Sequence, residues 1–340
     1  MKFFNHQGVF FQYDKRGPVW LRVVEFAFTT LLLIALLGLI LEFAFGRVDQ
    51  SKYKVKGTMT KVEKHRLLTN VTGQGKVTVV FESDINTPMQ QWGVIRDKIA
   101  TEAKVFTYER AGYGWSDESS YDGDIDQAVK DLRAALKKSP AVSPFILVGH
   151  GYGGLVMSKF AKEYPDDVIG VILIDSLTEK EINSKEFKKK IGLEIKKAEL
   201  KKYSSRIGII RLLDKINLLK LDDNLSKNLS NENNALFRSM WVTPKQNTAV
   251  FNELKEIREY NDSVQAPGLL GNKSLMVFTT IKDAGNDENK NQIINNQKEL
   301  LQMSSRSEQI VVEDSSSYVQ LEKPEIIISA IKTILKRNEK

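Results

Sequence analysis

Apolar and polar residues follow three different patterns along this chain. The first is an uncharged apolar run, Phe26–Leu41 (FAFTTLLLIALLGLIL), which continues past Glu42 through Phe43, Ala44 and Phe45. About 20 apolar residues in a helix cross a bilayer, so residues 20–46 are read as a transmembrane helix. Trp20 and Tyr53 flank it as interface residues. A cleaved signal peptide fits less well, because the run is long and no small-residue cleavage site follows it. Residues 1–19 form a short tail, and residues 47–60 read as a polar, basic linker.

The second pattern is a series of short β-branched runs: Lys76–Glu82, Lys104–Glu109, Phe145–Gly149 and Val168–Asp175. Runs of this kind form buried parallel strands. Helical periodicity separates them, notably over Ile125–Lys138 and Gly153–Lys162. The alternation predicts βαβ units. It resumes at Ser274–Thr280 and Gln309–Val312 and ends in a helix from about Pro324. The third pattern fills the gap: residues 177–262 are helical in period and rich in lysine. The expected fold class is α/β, a mostly parallel central sheet with helices on both faces. Residues 61–176 and 263–340 form that core, and 177–262 a helical lid.

Charge changes the picture in two places. Lys2, Lys15, Arg16 and Arg22 precede the apolar run and favour a cytoplasmic N-terminus, while Arg47, Lys52, Lys54, Lys56, Lys61 and Lys64 after it oppose that. The short tail weighs more, since long domains translocate largely regardless of charge. The large domain is therefore expected outside the cell. The chain's net charge is +7, and most of the surplus lies in 177–260. Within Lys185–Lys202, Phe187, Ile191, Ile195 and Ala198 recur at helical spacing, an amphipathic basic helix. Such a helix packs its stripe on the core and shows lysines to water, or it meets anionic lipid or an anionic wall polymer. No nucleic-acid module accompanies the charge.

Candidate chemistry is sparse. The chain has no cysteine, which excludes disulfides, thiolate catalysis and Cys-based metal sites. Its three histidines are His6, His65 and His150. GHGYGG has close glycines but lacks the dinucleotide-binding spacing and the P-loop lysine. No cofactor and no metal are expected.

Three segments resemble the α/β-hydrolase family. Tyr108–Asp117 (YERAGYGWSD) is similar to its Y-D-R-x-G-x-G-x-S segment. Leu147–Gly154 (LVGHGYGG) sits where the family has G-H-S-x-G-G, the strand-to-helix turn that exposes the nucleophile. Ser317–Glu325 (SYVQLEKPE) is similar to H-x-x-x-x-E-x-P-E. The order and spacing of all three fit, over about residues 60–340. The resemblance is nearest to bacterial members with an N-terminal membrane anchor.

The resemblance implies a serine at position 151 and a histidine at 317, but Gly151 and Ser317 stand there. Glycine offers no oxygen to attack a carbonyl, and serine cannot relay a proton near neutral pH. The family's acid has two candidates, Asp175 and Asp283. After KVTVVFE, a glycine-rich loop usually supplies N–H groups to the developing oxyanion; here the loop is Ser83-Asp84-Ile85-Asn86. An inward Asp84 would disfavour an oxyanion, and an outward one would not. The sequence thus points to a membrane-anchored pseudohydrolase. Ser83, Asp84, His150, Gly151 and Tyr152 would line its pocket, and its partner would be a membrane protein or a hydrophobic small ligand. The alternative is an enzyme of the same fold using Tyr152 or Ser317 as nucleophile, or His150 in acid–base work.

Overall fold

The computed structural model describes residues 18–119 and 124–338. His6, Lys2, Lys15 and Arg16 lie outside the described residues. Eight strands form one sheet: β1 (Thr58–Lys61), β2 (Arg66–Thr72), β3 (Thr78–Glu82), β4 (Lys104–Tyr108), β5 (Phe145–His150), β6 (Val168–Ile174), β7 (Gly271–Thr280) and β8 (Ser304–Val312). Their spatial order is β1-β2-β4-β3-β5-β6-β7-β8. The β1–β2 and β2–β4 pairs are antiparallel, and all others are parallel.

Helices cover the sheet as the alternation requires. They are α1 (Val19–Lys52), α2 (Gly93–Ile99), α3 (Ile125–Lys137), α4 (Tyr152–Glu163), α5 (Glu179–Asn183), α6 (Lys185–Arg206), α7 (Ile209–Lys215), α8 (Asp223–Asn228), α9 (Asn231–Trp241), α10 (Pro244–Glu259), α11 (Asp287–Lys298), α12 (Val319–Glu322) and α13 (Pro324–Asn338). Successive strand residues point to opposite faces. Val80, Leu147, Val171 and Leu173 therefore join the α3–α4 side of the core. Val79, Ile146, Val148, Ile172 and Ile174 join the α2–α13 side. Every residue of β3 and β5 is buried, which is why Val79–Phe81 and Phe145–Val148 within them read as unbroken apolar runs.

Residues 177–262 hold α5 to α10 and, among the described residues, no strand. On α6, Ile191, Ile195 and Ala198 are buried and Phe187 packs against the core. The lysine-rich helix thus turns its apolar stripe inward.

Two boundaries depart from the sequence reading. The expected linker 47–60 is only partly a linker, because α1 runs on to Lys52 and β1 begins at Thr58. Polar composition suggested a loop, but Asp49 is held at 2.5 Å by Arg211 of α7, which rewards another helical turn. At 1.5 Å per residue this 34-residue helix is about 51 Å long, more than a bilayer core of about 30 Å. It is long and apolar enough to cross a membrane, and its apolar window is uncovered by protein. The antiparallel β1–β2 pair was not anticipated. Its residues mix polar and apolar positions, and only part of each strand is buried.

Candidate active site

The site is built at the C-terminal ends of the parallel strands. β5 ends at His150 and the chain turns through Gly151 into α4. Gly151 has φ 54° and ψ −118°, a backbone state that strains any residue carrying a Cβ. Its N–H donates to the Ile174 carbonyl at 3.0 Å, and its carbonyl accepts from Gly154 at 3.1 Å. Gly154 must also be small, because a Cβ there would overlap the Ser176 side chain. The sharp strand-to-helix turn is thus fixed by backbone bonds and close packing.

What lies over the turn is Asp84. A Cβ built on Gly151 would overlap the Asp84 carboxylate. Asp84 Oδ1 accepts the N–H of Tyr152 at 2.7 Å. Of the two orientations open to Asp84 in the sequence, the structure has the inward one. The residue after the turn normally lends this N–H to an oxyanion. Here it is occupied by the chain's own carboxylate. The Ser83 N–H, also on the loop after β3, faces Glu82 Oε1 at 3.2 Å. The Ser83 hydroxyl accepts from the Trp92 indole at 3.0 Å.

A buried ionic cluster holds this loop down. Arg110 donates to both carboxylate oxygens of Glu253 on α10, at 2.7 and 2.9 Å. It also donates to Glu82 Oε1 and to the Ser83 carbonyl, each at 2.6 Å. Tyr113 donates to Glu253 at 2.5 Å, and Tyr108 donates to Glu82. The guanidinium lies 4.8 and 5.0 Å from the ring centres of Tyr113 and Tyr152. Burial raises Glu82, with Arg110 opposing. Burial also pushes the neighbouring Glu109 up to about 7.

The other expected site residues fall into two groups, two buried beside the turn and three around one cavity. His150 is buried, which lowers its pKa and keeps the ring neutral. Its Nδ1 lies 3.2 Å from Gln320 Nε2, and its ring packs edge-on to Tyr318. Tyr152 is fully buried, its hydroxyl has no hydrogen-bond partner among the described residues, and burial raises its pKa well above the ordinary value. Ser317 is exposed and lines a cavity of about 310 Å³ with Asp175 and Asp283. Asp283 is exposed on a short helical turn. Asp175 follows β6 with φ 41°, accepts from the Thr280 N–H at 2.8 Å and from its hydroxyl, and is pushed by burial to about 7.

Sequence reasoning missed the Glu82–Arg110–Glu253 cluster. Arg110 was visible inside YERAGYGWSD, but its partner Glu253 lies 143 positions away in the helical region. It also missed a buried pair, His65 Nε2 to Asp131 Oδ2 at 2.7 Å, which belongs to none of the three motifs.

Known proteins resemble this chain in sequence and in fold. A family model described as the alpha/beta hydrolase fold matches residues 86–324. The chain is 31% identical over 160 residues to the uncharacterized protein YbdG of Bacillus subtilis (strain 168), a match covering 45% of this chain and 49% of that one. It is 36% identical over 103 residues to the uncharacterized protein YqjL of the same organism, covering 30% and 41%. The chain therefore spans less than half the length of these relatives. It is also 26% identical over 87 residues to a (lyso)-N-acylphosphatidylethanolamine lipase of Bos taurus, covering 25% of each chain. Among solved structures, a thermophilic esterase from Thermogutta terrifontis superposes with a TM-score of 0.61 at 20% identity, covering 84% of this chain and 98% of that one. At that identity the likeness speaks for the fold alone. With its sheet order, its glycine turn and a family match over most of its length, the chain belongs to the α/β-hydrolase fold family.

Proposed function

We propose that this chain is a membrane-anchored pseudohydrolase, an α/β-hydrolase-fold protein that acts by binding a ligand or a protein partner rather than by hydrolysis. One observation carries the reading: the Asp84 carboxylate fills the space above Gly151 and takes the Tyr152 N–H. Hydrolysis by this fold needs a side-chain nucleophile at that point and free N–H donors for the oxyanion. Position 151 has no side chain, and the donor already faces a negative charge. Ser317 in place of a histidine leaves no imidazole to take the nucleophile's proton.

The alternative nucleophiles are less suited. Tyr152 would have to lose its proton in a dry site beside Glu253, which burial opposes. Ser317 has no imidazole to activate it. His150 is held neutral against Gln320. In this reading residues 61–176 and 263–340 are the core, 177–262 cover it, residues 20–46 cross the membrane, and the large domain lies outside the cell.

The test combines a fluorophosphonate probe, a panel of short-chain esters and protease treatment of intact cells. The expected results are no covalent label, no turnover above background and digestion of the large domain from outside. Robust turnover abolished by replacing one other residue would overturn the pseudohydrolase reading. Protection of the domain until lysis would overturn the orientation.

A further inference from the structure

We infer that the cavity between α1 and the helical region binds the acyl chain of an anionic membrane lipid drawn from the adjacent leaflet. The inference rests on the anchored, ligand-binding reading and supplies its ligand class.

Depth places the cavity beside the bilayer. α1 is fastened to the corner between α6 and α7. Gly38 lies so close to the Ile207 carbonyl that a Cβ would overlap it. One turn later Glu42 accepts two bonds from Arg211, at 2.7 and 2.8 Å. These contacts fall within the apolar part of α1, which runs from Phe26 to Phe45 apart from Glu42 itself. A bilayer that covers this run therefore reaches the α6–α7 corner. The corner's outer surface fits such an environment. Ile209, Leu212, Ile216 and Leu218 are 40–67% exposed, and Arg206, Lys215 and Lys220 flank them. Exposed apolar residues with basic neighbours are the composition of an interfacial helix.

The cavity itself has the size and walls for an acyl chain. It has a volume of about 560 Å³. Leu39 and Phe43 of α1 form one wall, and Trp115, Met240 and Pro244 of the domain form the other. Because α1 is itself a wall, a lipid lying against that helix would lie beside the cavity. The walls suit a hydrocarbon chain. Arg47 and Arg206 also line the cavity and are exposed, so they can meet a lipid phosphate. Of the acidic lining residues, Glu42 and Asp49 are already paired with Arg211, and Glu118 is exposed to solvent.

The full chain, reconstituted in phosphatidylcholine:phosphatidylglycerol vesicles, tests this with phosphatidylglycerol bearing a photoactivatable acyl chain. Crosslinks are expected at Trp115 and in segment 239–245 as well as along the lipid-facing residues 26–37. Gly46 also lines the cavity, and a Cβ there meets nothing within 4 Å. Gly46→Leu therefore fills the space, and leucine favours a helix. It should cut the Trp115 and 239–245 crosslinks at least roughly fivefold while those at 26–37 persist, since a filled apolar site loses its guest. Arg47→Gln or Arg206→Gln should each lower the preference for phosphatidylglycerol over phosphatidylcholine by roughly fivefold.

Labelling confined to 26–37, labelling of the cavity that ignores Gly46→Leu, or a crosslinked polypeptide in place of lipid would each overturn the inference while leaving the anchor standing. Release of the chain by a carbonate wash would overturn the anchor and the inference together.

Discussion

Two arginines, Arg110 and Arg211, each sit between two acids, and their surroundings differ. Arg110 is held by Glu82 at the end of β3 and by Glu253 on α10. Its guanidinium is further engaged by a backbone carbonyl, and its acids take two tyrosine hydroxyls. Arg211 on α7 is held by Glu42 and Asp49, both from α1. The first cluster stitches the helical region to the core, and the second stitches it to α1. A cover hinged for opening needs one loose edge. This one is fastened by a buried ion pair on both sides, and separating such a pair strands charges in a dry site. The cavity at the α1 seam then offers a ligand an entrance that leaves the Glu253 clamp closed.

The largest effect should come from breaking the core cluster. Glu253→Ala leaves Arg110 with one acid and opens space beside Tyr113. A loss of about 3–5 kcal/mol is expected, the usual cost of removing one partner of a buried pair. Denaturant unfolding in mild detergent measures it. A loss below about 1 kcal/mol would show that water already solvates the pair. Arg110 also donates to the Ser83 carbonyl, so the same variant should loosen the Asp84 loop.

The elbow gives the next effect. Gly151→Ala puts a methyl group into a positive-φ position and onto the Asp84 carboxylate. A destabilisation of about 1–3 kcal/mol is expected from the strain alone, with more from the overlap. Asp84→Gly should relieve the overlap but not the strain, so the double variant should recover part of the loss. Strict additivity in this cycle would mean that Asp84 does not lie over Gly151. The same contact makes a chemical statement. Gly151→Ser with Ser317→His should remain inactive towards esters while Asp84 is in place.

At α1 the effect should be local. Glu42→Ala removes two bonds to Arg211 but leaves Asp49. α7 should part from α1 without global unfolding, because the core cluster does not share these residues. Limited proteolysis should cut near 206–216 faster, while the global unfolding midpoint moves by only about 2–4 °C. Global unfolding by Glu42→Ala would mean that α1 and the core form one cooperative unit.

These clusters also explain what could be read from the sequence. The buried parallel strands were legible because both faces are covered, so Val79–Phe81 and Phe145–Val148 read as apolar runs. The glycine turn was legible because backbone geometry at 151 and close packing at 154 restrict residue choice. The β1–β2 pair was not, since its strands carry mixed patterns at the sheet edge. Nor was the end of α1, where a polar turn stays helical because Arg211 reaches it from far along the chain. The direction of Asp84 was open for the same reason. It depends on the Tyr152 N–H, 68 positions away. Local pattern encodes burial and backbone; long-range ion pairs leave no local trace.

The smallest effect sharpens the core side through pH. Glu109 is buried at the end of β4, accepts the Met89 N–H at 3.2 Å, and is pushed up to about 7. In the unfolded chain its carboxyl titrates near the ordinary value of about 4.3. Between these values the folded state holds a proton that the unfolded state has released. Stability from this group is therefore greatest on the acid side and falls as pH rises from about 4 to about 7. Above that window both states are ionised and the penalty is constant. Glu109→Gln keeps an oxygen for the Met89 N–H and removes the titration. The unfolding midpoint of the variant, relative to the parent, should thus rise by about 2–4 °C between pH 6 and pH 7. Asp175, also pushed to about 7, contributes the same sign to both proteins and cancels in the difference. A difference that is flat with pH would mean that Glu109 ionises as freely in the folded protein as in the unfolded chain. A difference of opposite sign would mean that its charged form is the one the core prefers.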